Sequence, residues 1–361
     1  MLGGVKIVEL EGLGPGPFCG MLLADLGAEV TVIHRPVAAD TPGAVDENLL
    51  DRGKRSIVLD LKDPADREVA LALIAQADAL IEGYRPGVAE RLGLGPQDCH
   101  RVNPRLVYGR MTGWGQDGPL AKLAGHDLNY ISRSGALWYA SAAGDAPLTP
   151  PTLVGDVGGG AMYLAVGILS GVLNARSTGK GTVVDAAIVD GSAHMLALLH
   201  SMRPSGAMVT ARGQSVLDGP HWNQSYLCAD GGWVTVQALE PKFYALFLEK
   251  LGLSDDEAMV KGHYDRSAWG ELKERLKPVF AAQPRAYWDA LFGDSDACVA
   301  PVLSPEEAQQ DPHIAARGIW QGENLAPAPA PRFDGETRTP GPVPARGAHS
   351  SQIRAELAAK M

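Results

Sequence analysis

The sequence is poor in cysteine, has no excess of basic charge, and lacks any long uninterrupted apolar run. Cys19, Cys99, Cys228 and Cys298 stand far apart, with neither the paired spacing of a metal site nor the density of a disulfide framework. That pattern points to a reduced compartment and to chemistry that needs no metal. The apolar stretches are broken by charge or glycine well short of the about 20 residues that cross a bilayer. Residues 1–10 read directly into a strand and lack the layout of a signal peptide. The expectation is a cytoplasmic protein with no membrane partner. A net charge of −10 argues against nucleic acid as the main partner, yet leaves room for a polyanionic small ligand wherever basic residues gather.

What the chain does have is the patterning of an α/β protein. Its 361 residues exceed one small domain, and 45% hydrophobic with 20% charged content is ordinary for a globular chain. Residues 5–10 form an apolar run. A glycine- and proline-rich turn (12–20), a helix through 21–26 and a second strand over 29–33 follow. This β-turn-α-β opening belongs to doubly wound folds. Dinucleotide binding fits poorly: the glycine spacing is wrong, prolines occupy the turn, and His34-Arg35-Pro36 stands where a ribose-binding acid is required. A cation there suits a phosphate better. Further strand and helix signals continue past residue 190, and we find no internal repeat.

The composition changes after about 205. Residues 229–232 (Ala-Asp-Gly-Gly), between two strand-like runs, signal a hairpin. Helices are expected over 241–251, 267–281 and 284–293. The proline-rich stretch 325–346 excludes a regular helix and reads as an extended strap. We therefore expect a large domain over 1–217, a small α+β domain over 218–304, and a C-terminal strap, 305–361, completing the large domain.

Two residues carry candidate chemistry. His126 lies in Ala-Gly-His-Asp-Leu-Asn-Tyr (124–130), and Asp156 in Leu-Val-Gly-Asp-Val-Gly-Gly-Gly (153–160). An imidazole and a carboxylate, each beside glycine, suit removal of a proton from one face of a carbon and its return to the other. Each also has a plainer reading. His126 fits a satisfied structural histidine, and Asp156 fits the N-cap of a glycine-rich helix start. Glu240 precedes Pro241 at an expected helix start, where it would either favour the helix dipole or orient an imidazole. Arg35, Arg52, Lys54, Arg55, Lys62, Arg85 and Arg91 cluster early, several just after strands, where α/β sheets bind ligands.

These residues sit within segments that resemble the family III coenzyme A transferases and, among them, the α-methylacyl-CoA racemases. The matching segments include 8–18, 82–88, 103–108, 112–116, 124–130, 153–156, 179–187, 217–219, 240–244 and 295–303. The resemblance implies an interlocked homodimer, each chain with a Rossmann-like large domain and a small domain. It implies proton transfer at the α-carbon of a 2-methylacyl-CoA, with His126 and Asp156 as the bases, Glu240 supporting the histidine, and the Asp127 N–H stabilising the enolate. Coenzyme A would be part of the substrate, and no other cofactor is implied. Arg35, Arg52, Lys62, Arg85 and Arg91 would hold its phosphates. A transferase using Asp156 as nucleophile, and a non-catalytic acyl-CoA binding protein, are the alternatives. The sequence departs from the racemase pattern at Thr152, at Val157 and over Pro220–Gln224. His221, Trp222 and Asn223 are thereby expected in the acyl pocket, where they would accept a polar acyl group.

Overall fold

The computed structural model describes residues 1–37, 47–321 and 326–360. The chain divides into two compact units. The first comprises Met1–Leu137, Thr149–Met195 and Pro312–Met361, and the second comprises Trp138–Leu148 and Leu196–Asp311.

The first unit is built on β1 (Lys6–Leu10), α1 (Pro15–Asp25), β2 (Glu29–His34), β3 (Arg55–Val58), α2 (Pro64–Ile74) and β4 (Ala79–Glu82). Short helices α3 (Val88–Arg91) and α4 (Pro96–Val102) lead to β5 (Val107–Thr112) and α5 (Asp127–Ser134). A π-helix (Leu153–Ala161) runs into α6 (Met162–Thr178), followed by β6 (Thr182–Ala187) and α7 (Ile188–Met195). The six strands are parallel and ordered β3-β2-β1-β4-β5-β6. Strands β4 and β5 are buried almost throughout, as expected where helices cover both faces of a parallel sheet. One face packs Cys19 and Leu23 of α1 with Leu164, Ile168 and Val172 of α6. The other packs Ile74 of α2, Cys99 of α4 and, from the C-terminal helix (Ser350–Ala358), Ile353 and Leu357.

The C-terminal segment closes the free edge of β3. His349 N–H donates to the Ser56 carbonyl (2.9 Å), Ser56 N–H donates to His349 Nδ1 (3.1 Å), and Val58 N–H donates to Ser350 Oγ (3.1 Å). These bonds occupy groups that an edge strand would otherwise leave open to another chain.

In the second unit α8 (Ala197–Ser201) precedes the antiparallel sheet β7 (Asn223–Leu227), β8 (Trp233–Gln237) and β9 (Val299–Pro301). Helices α9 (Pro241–Lys250), α10 (Glu257–Lys261), α11 (Trp269–Ala281), α12 (Arg285–Phe292) and α13 (Pro305–Gln310) complete it. The core is aromatic, with Tyr226 stacked on Phe280 at 4.7 Å and Phe247 and Phe292 behind them.

The unit boundaries fall at Leu196 and Asp311, where the sequence suggested 217 and 304. Segment 203–219 turns back on its own unit, because Arg212 donates to the carbonyls of Ala140 (2.7 Å) and Ala142 (2.9 Å). The Arg285–Glu307 pair likewise ties α13 to α12. One apolar stretch is longer than its glycines suggested. The π-helix and α6 join into 26 helical residues, the one stretch among the described residues long and apolar enough to cross a membrane. Its inner side, however, packs on β5 and β6 in the first unit's core.

Arg52 shows how the large unit is braced. Its guanidinium is buried and donates to both oxygens of Asp25 (3.1 and 2.5 Å) and to the Pro327 carbonyl (2.7 Å). Arg52→Ala leaves the Asp25 carboxylate buried and unpaired. It should cost about 3–5 kcal/mol, read from the urea transition of the first unit. A loss below about 1 kcal/mol would place the pair among exposed ion pairs and refute its bracing role.

Candidate active site

Parallel strands β1 and β4 are neighbours, but their onward connections leave in opposite directions, to β2 and to β5. A crevice must open above their C-terminal ends, because neither crossover roofs it. A cavity of about 410 Å³ lies there. Its walls come from the loop after β1 (Gly12–Pro17), the loop after β4 (Gly83–Pro86), the end of β5 (Met111–Trp114) and residues 121–126. Tyr130, Asp156 and Ile188 complete the lining.

His126 is the N-cap residue of α5, in extended backbone (φ −137°, ψ 173°). Asn129 Oδ1 accepts its N–H (3.1 Å), and its carbonyl accepts the N–H of Asn129 (2.8 Å). The imidazole is exposed and lines the cavity. Asp127, the next residue, is buried, and its Oδ1 accepts the Asp156 N–H at 2.9 Å. One hydrogen bond thus joins the two segments that carry the candidate bases.

Asp156 does not cap an α-helix as its sequence suggested; it lies inside the π-helix. The wide turn is visible in its i→i+5 bonds: Val157 N–H donates to the Thr152 carbonyl (3.0 Å), and Met162 N–H to Val157. Glycine permits this close packing. A Cβ on Gly191 of α7 would stand 1.9 Å from the Gly159 carbonyl oxygen, so the two backbones touch. π-turns recur at functional sites because they displace one residue from the helical register. Here that residue's carboxylate lies against Gly14, whose left-handed backbone (φ +68°) is what calls for glycine. Burial pushes the Asp156 carboxyl up to about 6, the Asp127 carboxylate pushes the same way, and His126 opposes them.

The structure therefore brings His126, Asp127 and Asp156 together. It also reveals cavity residues that sequence reasoning missed. Tyr130 packs edge-on against Trp114 (4.7 Å, 85°) and donates to the Gly125 carbonyl. Its position four residues after His126, on the same helical face, was the available signal. Arg85 lines the cavity. Arg35 borders an adjoining recess and donates to Glu11. Lys62 and Arg91 are exposed.

Arg52 departs from the expectation: it braces α1, and its buried guanidinium presents no charge to solvent. Trp222 and His221 depart as well. Both are fully buried in the second unit, where Trp222 Nε1 donates to the His263 carbonyl (2.6 Å) and His221 Nε2 meets Tyr244 Oη (2.7 Å). They fill an aromatic core. Burial depresses the His221 imidazole to about 3, so it packs as a neutral ring. Asn223 alone of the three borders an open recess, among Tyr139, Leu217 and Gln237 of the same unit. Glu240 is the exposed N-cap residue of α9 in the second unit.

The sequence profile of CoA-transferase family III matches residues 2–350. The mouse protein named alpha-methylacyl-CoA racemase is 40% identical over 363 residues, covering 99% of this chain and 93% of the mouse protein. Its human namesake is 41% identical over 335 residues, covering 91% of this chain and 86% of the human one. The crystal structure of a CAIB/BAIF family protein from Brucella suis superposes with a TM-score of 0.83 at 25% identity, covering 99% of both chains.

The raised carboxyl has a consequence for stability. An unfolded aspartate ionises near 3.8, whereas folded Asp156 holds its proton to about 6, so ionising it costs stability as pH rises between the two. Discounted for partial exposure, that cost is on the order of 1 kcal/mol above pH 6. Asp156→Asn should be more stable than the wild type by about that amount at pH 8, and equal to it near pH 4. Thermal denaturation at the two pH values measures the difference, and a pH-independent difference would contradict it.

Proposed function

The chain belongs to CoA-transferase family III, and we propose that within the family it is a racemase of 2-methylacyl-CoA thioesters. The observation that carries this reading is the meeting of the His126 imidazole and the Asp156 carboxylate in one cavity at the sheet's switch point. One group, as free base, takes the α-proton, and the C–H electron pair passes into the thioester as an enolate. The other, as conjugate acid, returns a proton to the opposite face. The product is the epimer, and the two bases have exchanged protonation states.

The enolate oxygen needs donors aimed at it. The Asp127 N–H opens α5, where first-turn N–H groups have no intrahelical acceptor and the helix dipole favours negative charge. Glu240 would orient the His126 imidazole. Arg85 and Arg35, with Lys62 and Arg91, would hold the phosphates of coenzyme A, which enters as part of the substrate with no further cofactor. Asn223 and its recess are the remaining candidates for a polar acyl contact.

We read the working form as a cytoplasmic homodimer. Met162, Val166 and Leu173 form one outward stripe on α6, with Val166 62% and Leu173 71% exposed, which a second copy would cover. A histidine base beside the aspartate favours proton transfer over the family's transferase chemistry, in which the aspartate alone would be the nucleophile.

The enzyme should wash solvent deuterium into the α-position of both epimers of a 2-methylacyl-CoA. His126→Ala and Asp156→Ala should each slow exchange by about 100- to 10,000-fold. Tight coenzyme A binding without exchange would sink the reading in favour of a binding protein. A hydroxylamine-trappable acyl group on Asp156 would favour the transferase.

A further inference from the structure

The buried acids of the first unit are paired with cations. Glu9 accepts from Lys54 (2.7 Å), Asp51 meets His34 (3.2 Å) and Lys54 (3.3 Å), and Glu82 accepts from Arg110 (3.1 Å). Asp127 is the exception. It is only 8% exposed, and among the described residues neither it nor Asp156 has an ion-pair partner. Its one described side-chain hydrogen bond goes to the backbone of the other acid. The chain makes room for this arrangement, since a Cβ on Gly155 would stand 2.3 Å from Asp127 Oδ1. A buried carboxylate without a countercharge is costly, so its retention beside a second carboxylate calls for a reason.

We propose that the Asp127 side chain is the positioning residue of Asp156: its carboxylate holds the Asp156 backbone and, by like charge, biases Asp156 toward carrying the proton. This rests on the two-base reading and extends it from the Asp127 N–H to the Asp127 carboxylate. A two-base site must start with one group protonated and the other free, and it runs in both directions only if the proton is comparably placed on either. An isolated carboxyl is too acidic for that. Burial raises Asp156 to about 6, with the Asp127 charge acting in the same direction, which approaches the range where imidazoles titrate. The surroundings leave few other groups to set it. Around Asp156 stand His126, Asp127 and Tyr130 of α5, with Arg85 across the cavity. Elsewhere α1 and its loop present Gly14 and Pro15, β5 presents Met111, β6 ends in Ala186 and Ala187, and α7 presents Ile188, Gly191 and Ser192. Tyr163 of α6 is engaged with His194 (2.7 Å).

The decisive variant is Asp127→Asn, which keeps an oxygen to accept the Asp156 N–H and removes the charge. Protein labelled with 13C-aspartate is titrated by NMR without substrate, the Asp156 signal being identified by its loss in Asp156→Asn. The Asp156 midpoint should fall by about one pH unit in Asp127→Asn. The acid limb of the exchange rate should move down with it. An unmoved midpoint, or a rate lowered equally at every pH, would overturn the proposal. Should Asp127→Asn fail to fold, Gly155→Ala, which must displace the Asp127 oxygen, has to lower the midpoint, and an unmoved one there overturns it equally. The titration involves no catalysis. A protein with the shift but no exchange would therefore discard the racemase reading and keep the carboxylate coupling.

Discussion

Where two adjacent parallel strands send their connections in opposite directions, no helix can roof the gap between them. In this chain β1 and β4 are those strands, and the arrangement of the site follows from that gap. The loops leaving them turn apart and form the floor and one wall of the crevice, while β5, α5 and the π-helix supply the rest. Glycines stand at the close approaches around it. Gly14 lies under the Asp156 carboxylate, and Gly159 meets Gly191 backbone to backbone. Topology creates the opening, and small residues determine how close the reacting groups come to the sheet.

Charge is sorted with the same economy. Cations that the fold buries are spent on buried acids and on loop carbonyls. Lys54 donates both to Glu9 and to the Pro17 carbonyl (3.2 Å), tying the segment before β3 to the first turn of α1. Arg110 joins Glu82 to Glu90 (2.5 Å), fixing the loop after β4 from below. These pairs hold the crevice walls without entering the crevice. Inside it the pattern differs: His126, Asp156 and Arg85 line the crevice, and Asp127 is buried beside Asp156. There burial, together with the Asp127 charge, raises the Asp156 carboxyl.

Much of this was legible in the sequence, for reasons that can be named. The order of the opening β-turn-α-β unit, strands β4 to β6, the hairpin at 229–232 and helices α9, α11 and α12 follow from local periodicity and turn chemistry. Helix α1, however, begins at Pro15, inside the expected turn, because proline suits the first helical turn. The His126-Asp127 pair and Asp156 stand out because each is polar and adjoins glycine. Long-range contacts were not legible. Arg52 reads as one more surface cation until Asp25 and Pro327 are seen to enclose it. Trp222 and His221 follow a short glycine-containing segment and read as loop residues, yet they complete a core built mainly from β7, β8, α9, α10, α11 and α12. The π-helix was hidden because three glycines in a row signal a turn locally, whereas its wide helical path packs against α7, α1 and α5.

The bond between Ser56 and His349 spans 293 residues of chain. Until the C-terminal segment is available, β3 presents a bare edge. The nascent protein must therefore carry an open template for strand addition through most of its synthesis. Closing that edge waits on a contact whose loop entropy is among the largest the chain can incur. Shortening or mutating the residues around His349 would act first on the partly folded protein, as self-association during biogenesis, before any effect on the crevice some distance along the sheet.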